Sequence, residues 1–380
     1  MKTKTFPISC LVSIVFFCVT MAASAHTLST GYLTLYNTSS NANGELHLAL
    51  RDLDDAVGLD VNDDGKITWS ELLSRKQAVC AYALSRLHIE GDGKEGTLRV
   101  DDFLVDNHSD GAYAVVRFTV DGIHDPTRLQ IDYDALFDID PKHRGLVRLE
   151  HNGLTRLAVF GPTTRTQTFE VGETAPFDTL VTFIKEGIWH IWSGYDHILF
   201  LMSLLLPGVL RRRDGKWQPV EAARPALINI LKIVTAFTAA HSITLSLAAL
   251  GYVHLPSRLI ESAIAASVVI AAFNNLVPLF GDRCWMVAFG FGLLHGFGFA
   301  NALRDLGLQH GSLAATLFGF NLGVEIGQLT IVAVFLPIAL SLRQFLFYQR
   351  FILRYGSAVI ILVASTWLAE RVLDFKWLPF

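Results

Sequence analysis

EGIWHIWSGYDHILFLMSLLLP, residues 186–207, is apolar enough to enter a membrane yet carries His190, Asp196 and His197. Ionisable groups at membrane depth are expensive, and they mark functional sites by default. The anomaly returns in three later apolar segments, with His241, His295 and Glu325. Together these residues predict a metal or proton site built between helices.

The rest of the chain fits a membrane protein with a soluble half in front of it. The sequence has 380 residues, 51% of them hydrophobic, which is too apolar for an ordinary pair of soluble domains. The net charge of -4 gives no argument for a nucleic-acid partner. Residues 26–180 are rich in Asp, Gly, Asn and Thr, whereas residues from about 186 onward are mostly Leu, Ile, Val, Phe and Ala. At the start, Lys2 and Lys4 precede an apolar run from Phe6 to Met21, and Ala23-Ser24-Ala25 offers small residues for cleavage. Residues 1–25 therefore read as a signal peptide, the alternative being an uncleaved anchor. Cleavage would leave His26 first, where its amine and imidazole can chelate a divalent ion; the plainer reading is a terminus that merely follows the cleavage site. Cys10 and Cys18 would leave with the signal, and Cys80 and Cys284 fall in different halves, so no internal disulfide is expected.

In the exported half, GYLTLYN, ELHLALR, TLRVDDFLV, AYAVVRFTV, TRLQIDY, GLVRLEH and TQTFEV alternate apolar and polar residues. Such period-two runs, broken by Gly, Asn, Asp and Pro, predict strands of an antiparallel sandwich. One helix is expected at about 69–88. Directly before it, DVNDDGKITWSE (60–71) has the spacing of an EF-hand calcium loop. Asp60, Asn62 and Asp64 take positions one, three and five. Gly65 makes the turn, the Lys66 carbonyl takes seven, Thr68 nine and Glu71 twelve. A single loop among strands points to a structural clamp; the bland alternative is an acidic turn that binds nothing.

Six apolar segments follow, at about 187–207, 228–250, 258–280, 285–303, 313–341 and 356–373, each near the ~20 residues that cross a bilayer. With residues 26–180 exported, the first span runs inward and the sixth returns the chain to the outside. Arg211, Arg212, Arg213, Lys216 and Arg224 in the 207–227 loop, and Arg343, Arg350 and Arg354 in the 342–355 loop, then fall on the cytoplasmic side. His190 and His197, seven apart, are expected on one helix face with Asp196 adjoining. Thr238, His241 and Thr244 form a second polar stripe, and Asn321, Glu325 and Gln328 a third. His295 lies near mid-span, Glu261 near the outer end of the third span, and Asn274 and Asn275 deeper. Gly292 and Gly296 flank His295 at a spacing that lets helices approach closely. For any single residue here an interhelical hydrogen bond is the simpler explanation; for the set, a shared site is. Imidazole with carboxylate suits nickel, cobalt, zinc or iron, and does not separate them.

The string HIWSGYDH (190–197) resembles the H-x5-D-H signature of the HupE/UreJ membrane proteins, hydrogenase and urease accessory proteins linked to nickel. FTAAHSITL (237–245), LLHGFGFA (293–300) and FNLGVEIGQ (320–328) are similar to the longer branch of that family, whose members carry an exported domain, often with a D-x-N-x-D-G loop. The resemblance implies a multi-span bacterial inner-membrane protein and metal handling by His190, Asp196 and His197. It departs in one place: short nickel permeases carry two His-Gly pairs and a nearby Glu, and here His295-Gly296 is followed by Phe-Gly-Phe-Ala. Three functions stay open. The first is a nickel or cobalt permease or metal-delivery protein serving metalloenzyme maturation proteins. The second is a membrane-embedded zinc hydrolase with Glu325 or Glu261 as base. The third is a calcium-stabilised interaction protein.

Overall fold

The structure is a computed structural model that describes residues 29–37, 42–108, 111–151, 154–171, 176–213, 216–253, 255–277, 279–305 and 310–373. The signal segment 1–25 and His26 lie outside the described residues. Two compact units emerge: Thr27–Thr182 with Asn301–Thr316, and Phe183–Ala300 with Leu317–Phe380.

The first unit is β-rich. Its strands are β1 (Thr30–Asn37), β2 (Ala42–Ala49), β3 (Leu87–Gly91), β4 (Lys94–Glu95), β5 (Thr97–His108), β6 (Gly111–Asp121), β7 (Arg128–Tyr133), β8 (Arg144–His151), β9 (Leu154–Phe160) and β10 (Thr166–Glu170). One sheet runs β5-β6-β2-β1-β8-β9 and a second β10-β7-β3-β4. The alternation seen in the sequence is visible in burial. Leu46 and Leu48 of β2 and Leu129 and Ile131 of β7 are buried in one core, with less buried residues between them. Each such side chain contributes roughly 1.5–3 kcal/mol by leaving water.

Two expectations are corrected. The sandwich is not wholly antiparallel, because β1 pairs with β8 in parallel register from Thr30↔Arg144 to Asn37↔His151. More than a hundred residues separate those strands, so a distant connection replaces a hairpin, and alternation alone carries no strand direction. The helical content also differs. LRDLDDAV, where the apolar spacing changes from two to three and four at Leu50, Leu53 and Val57, forms a helix, α1 (Leu50–Val57), closed by Gly58 at φ 66°. The expected helix, α2 (Trp69–Ser85), stops before His88, because Leu87–Gly91 pairs as β3 with β7. Leu53 of α1 and Leu72, Val79 and Ala83 of α2 enter the same core as the two sheets.

A buried polar chain ties this unit together. Tyr133 donates to Nε2 of His143 at 2.8 Å, Nδ1 of His143 lies 2.5 Å from Ser29 Oγ, and Ser29 donates to Asp52 at 2.6 Å. The consistent proton assignment is a neutral His143 with hydrogen on Nδ1. Burial holds its pKa down at about 3, although Asp52 pulls the other way. Gly145 makes room for the chain: a Cβ there would lie 2.7 Å from the Tyr133 ring.

The second unit is helical. It contains the end of α3 (Pro176–Ser193), then α4 (Tyr195–Leu205), α5 (Ala223–Ala249), α6 (Ser257–Leu276), α7 (Cys284–Asp305), α8 (His310–Leu342) and α9 (Leu353–Leu373). The basic loop expected at 207–227 contains a two-stranded ribbon, β11 (Leu210–Arg213) with β12 (Lys216–Pro219). Among the described residues, four helical stretches are long and apolar enough to cross a membrane: Ala223–Ala249, Ser257–Leu276, Leu313–Leu342 and Tyr348–Leu373. Tyr195–Val209 and Cys284–Ala300 are apolar but shorter. The segment expected as one span at 187–207 is two helices, interrupted at Gly194.

The His143 chain makes a pH prediction. An unfolded imidazole protonates near ~6.5. The folded one resists until about 3. Between those values the unfolded chain holds the extra proton, so stability is lost as pH falls below ~6.5, at up to ~1.4 kcal/mol per pH unit. In full-length protein, the protection factors of β1 and β8 amides, which correct for the intrinsic pH dependence of exchange, are expected to fall from about pH 6.5 downward, and His143→Asn to flatten that dependence.

Candidate metal centre

Gly194 is the residue from which the site is built. Its backbone is extended, φ -79° and ψ 99°, between α3 and α4. Two turns of continuous helix would carry His197 about 10 Å beyond His190. The break instead folds the two imidazoles to a centroid separation of 4.5 Å. The expected shared helix face is therefore corrected: the two histidines meet across a bend. The restart also sets Asp196 in the first turn of α4, where a carboxylate is favoured by the helix dipole. Asp196 Oδ1 lies 3.0 Å from His197 Nδ1.

Two further helices complete the cluster. His241 of α5 lies 6.3 Å from His190, ring to ring, and His295 of α7 lies 5.1 Å from His197. Ligand atoms of His190, His197 and His241 all fall within 4.8 Å of one another, as do those of Asp196, His197 and His295. His197 belongs to both trios. All four histidines are buried.

The hydrogen bonding is asymmetric in an informative way. His197 Nδ1 is held by Asp196, His241 Nδ1 lies 3.3 Å from Asn321 Oδ1, and His295 Nε2 lies 3.1 Å from Ser267 Oγ. Each ring thus has one nitrogen held by a neighbour. The opposite nitrogens, Nε2 of His197, Nε2 of His241 and Nδ1 of His295, are buried with no hydrogen-bond partner, and so are both nitrogens of His190. A buried unpartnered polar atom costs roughly 1–3 kcal/mol. Five in one cluster demand an explanation, and a ligand is the ordinary one. Metal-bound histidines show this division of labour, one nitrogen on the ion and the other on an orienting partner. The donor set, neutral imidazole with one carboxylate and no thiolate, suits a borderline divalent ion.

Close packing fixes these helices. A Cβ on Gly187 would lie 2.9 Å from the Cα of Gly323, so α3 and α8 touch backbone to backbone. Against α5, a Cβ on Gly292 would lie 3.1 Å from Phe237 Cα, and one on Gly296 3.0 Å from Leu245 N. These two glycines hold His295 against its neighbour. Phe237 and Phe200 pack on the His295 ring, each 5.2 Å away, and Phe320 lies 5.2 Å from His190.

The remaining expected residues are placed elsewhere. Glu325 is half-buried on α8, one turn from Asn321, and joins neither trio. Glu261 is engaged by Arg371 at 2.5 Å. Thr238 donates to Gln328 at 3.0 Å, while Asn275 donates to the Ser203 carbonyl at 2.8 Å and to Ser357 at 3.1 Å. Asn321 and Ser267 act as orienting partners. Asn321 stood in a visible stripe, but Ser267, in IAASVVI, carries no signal in the sequence.

In the β-rich unit, α1, the loop and α2 form a helix–loop–helix. Asp60 accepts from the Gly65 amide at 2.7 Å, Asp64 from Lys66 at 2.8 Å, and Gly65 turns at φ 77°. Glu71 reaches back to Thr68 N at 2.9 Å and to Val61 N at 3.3 Å. Hydrogen bonds from Thr68 hold its carboxyl below the usual range.

Residues 165–371 match the sequence model described as HupE / UreJ protein, more than half of the chain. The chain belongs to the HupE/UreJ family, membrane proteins associated with nickel or cobalt transport or accessory function. That span contains the whole histidine cluster and excludes most of the β-rich unit. No curated protein matches the chain.

Gly194 gives a direct test. A Cβ there would lie 2.7 Å from His197 Nδ1 and 3.0 Å from Asp196 Oδ1. Gly194→Ala is expected to displace the Asp196–His197 pair and weaken divalent-metal binding by about 10–100-fold, the scale seen when orienting partners are lost. Isothermal titration of the purified variant against nickel reads this out; wild-type affinity would refute the role given to the bend.

Proposed function

We propose that this protein is an inner-membrane permease or delivery protein for a divalent transition metal, nickel or cobalt, and that the cluster on α3, α4, α5 and α7 receives the ion. The observation that carries this reading is the set of five buried imidazole nitrogens without partners, in rings whose other nitrogens are mostly held in place. His190, with neither nitrogen engaged, is the natural acceptor on the outer side, followed by His197 with Asp196, then His241 and His295. Glu325 sits on the helix that orients His241 and is assigned to onward passage.

Two features favour passage over chemistry. Discontinuous helices around a mid-membrane site are a recurrent device of transporters. Here the discontinuity at Gly194 lies within the site. Imidazole and one carboxylate bind an ion without the grip of thiolates, and a transport site must also release. Buried polar pairs, Thr238 with Gln328 and Asn275 with Ser203 and Ser357, extend the polar lining beyond the cluster. The zinc-hydrolase reading needs a base beside the ion. Asp196 is committed to His197, Glu261 to Arg371, and Glu325 stands outside both trios.

The topology that accompanies this reading has six crossings. The broken α3–α4 segment is the first and α7 the fourth, and the basic 207–227 and 342–355 loops face the cytoplasm. The β-rich unit then lies in the periplasm, with residues 1–25 as its export signal. The 60–71 loop takes calcium there through Asp60, Asn62, Asp64, the Lys66 carbonyl, Thr68 and Glu71. This clamp joins α1 to α2, and the cytoplasmic receivers of the metal are metalloenzyme maturation proteins.

Reconstituted protein should carry nickel into liposomes loaded with a metal-sensitive dye. His197→Ala, which removes the residue common to both trios, is expected to reduce the rate at least tenfold. Tightly bound zinc with no flux, in wild type and variant alike, would sink the permease. The calcium assignment is checked separately: millimolar calcium should raise the melting temperature of wild type and leave Glu71→Gln unmoved.

A further inference from the structure

A second histidine cluster lies far from the first in sequence, on the β-rich unit. His47 of β2 and Asp106 and His108 of β5 offer ligand atoms that all fall within 4.8 Å of one another. The two strands are not neighbours, since β6 runs between them. The register explains how they meet. His47 pairs with Val115, and Asp106 and His108 pair with Tyr113 and Gly111, so all three side chains share one face of the sheet. Gly111, opposite His108, has no side chain to hold the His108 ring upright. That ring leans inward across Tyr113, 4.3 Å between centroids, and stacks on Tyr32 of β1 at 4.8 Å and 15°.

The result places His47 Nδ1 2.9 Å from His108 Nε2. His47 Nε2 points the other way, toward Glu45 Oε2 at 3.7 Å, and Glu45 is anchored by Arg117 at 2.8 Å. Glu45 thus stands behind His47 as the outer carboxylate does in carboxylate–histidine–metal sites, while Nδ1 faces His108. Asp106 is exposed, so the cluster opens to solvent on one side.

We infer that His47, Asp106 and His108 form a transition-metal site on the β-rich unit, separate from the intramembrane cluster. Two imidazoles and one carboxylate select zinc, nickel, cobalt or copper(II) and disfavour calcium, which takes oxygen ligands alone. Tetrahedral coordination at about 2.1 Å per bond spaces ligand atoms by roughly 3.4 Å, so a small outward rotation of His108 on its Tyr32 platform accommodates an ion. The site therefore differs from the 60–71 loop in metal class as well as in place, and it does not depend on the permease reading.

The test is metal stoichiometry of the full-length protein in detergent, measured by elemental analysis after zinc titration and gel filtration. Three variants are compared with wild type. His108→Phe keeps an aromatic ring for Tyr32 and Tyr113 but removes the ligand. Asp106→Asn removes the charge from an exposed position, and His197→Ala/His241→Ala disables the membrane cluster. Wild type is expected to hold one zinc more than His108→Phe, and Asp106→Asn to bind that zinc at least about tenfold more weakly. The membrane-cluster variant should retain it. Equal zinc content and equal affinity in wild type, His108→Phe and Asp106→Asn would overturn the proposal. Should His108→Phe fold poorly, Asp106→Asn decides alone: an unchanged affinity refutes the site. Absence of nickel flux in wild type, with this zinc intact, would refute the permease and leave the site standing.

Discussion

A polar atom buried without a partner is unstable, and the membrane unit is arranged around that constraint. Four imidazoles sit among phenylalanine rings, each of which would be better packed against an apolar side chain of similar size if packing were the aim. Three of the four have one nitrogen secured by Asp196, Asn321 or Ser267, while the opposite nitrogens have none. Uncompensated burial of this kind is retained where the missing partner comes from outside the chain. The glycine contacts serve the same end. Gly187 against Gly323, and Gly292 and Gly296 against α5, bring backbones close enough for short side chains to meet from separate helices.

The bend at Gly194 converts a sequence motif into a site. H-x5-D-H on a straight helix would spread its histidines over two turns. Extended Gly194, the fifth residue of the motif and the first after α3, restarts the helix, so the motif's two ends fold onto each other. A glycine is needed for a steric reason: Asp196 and His197 occupy the space that a Cβ would take. Backbone groups freed by such a break must find partners in a membrane. The Gly194 amide does so by donating to the His190 carbonyl at 3.0 Å, and its own carbonyl accepts from Ile198 at 3.1 Å.

Much of this was legible in the sequence, and the illegible parts share a cause. Residue type and depth were enough to single out His190, Asp196, His197, His241 and His295, because an ionisable group in an apolar run is conspicuous one residue at a time. Period-two alternation likewise identified GYLTLYN and TRLQIDY as strands. What could not be read was any relation fixed by tertiary contact. The parallel pairing of β1 with β8 joins segments more than a hundred residues apart. The helix at LRDLDDAV shares Leu50 with the alternating run that ends β2, and its shift to helical spacing at Leu53 and Val57 spans only two turns. Ser267 is one serine among alanines until His295 is opposite it. Glu325 shows the converse: it stands in a stripe with Asn321 and Gln328, both of which find buried partners, yet it is not drawn into either trio.

The two histidine clusters solve the same chemical problem by different means. In the helical unit, ligands come from four helices and are held by polar neighbours within a hydrocarbon-like surround. In the β-rich unit, the pleat brings His47, Asp106 and His108 to one face across three strands, and tyrosine stacking aims the ring. The first arrangement is buried in low dielectric, where one carboxylate counts heavily. The second leaves Asp106 exposed, where its charge is screened and exchange with solvent is fast. The two clusters therefore differ in their surroundings more than in ligand type.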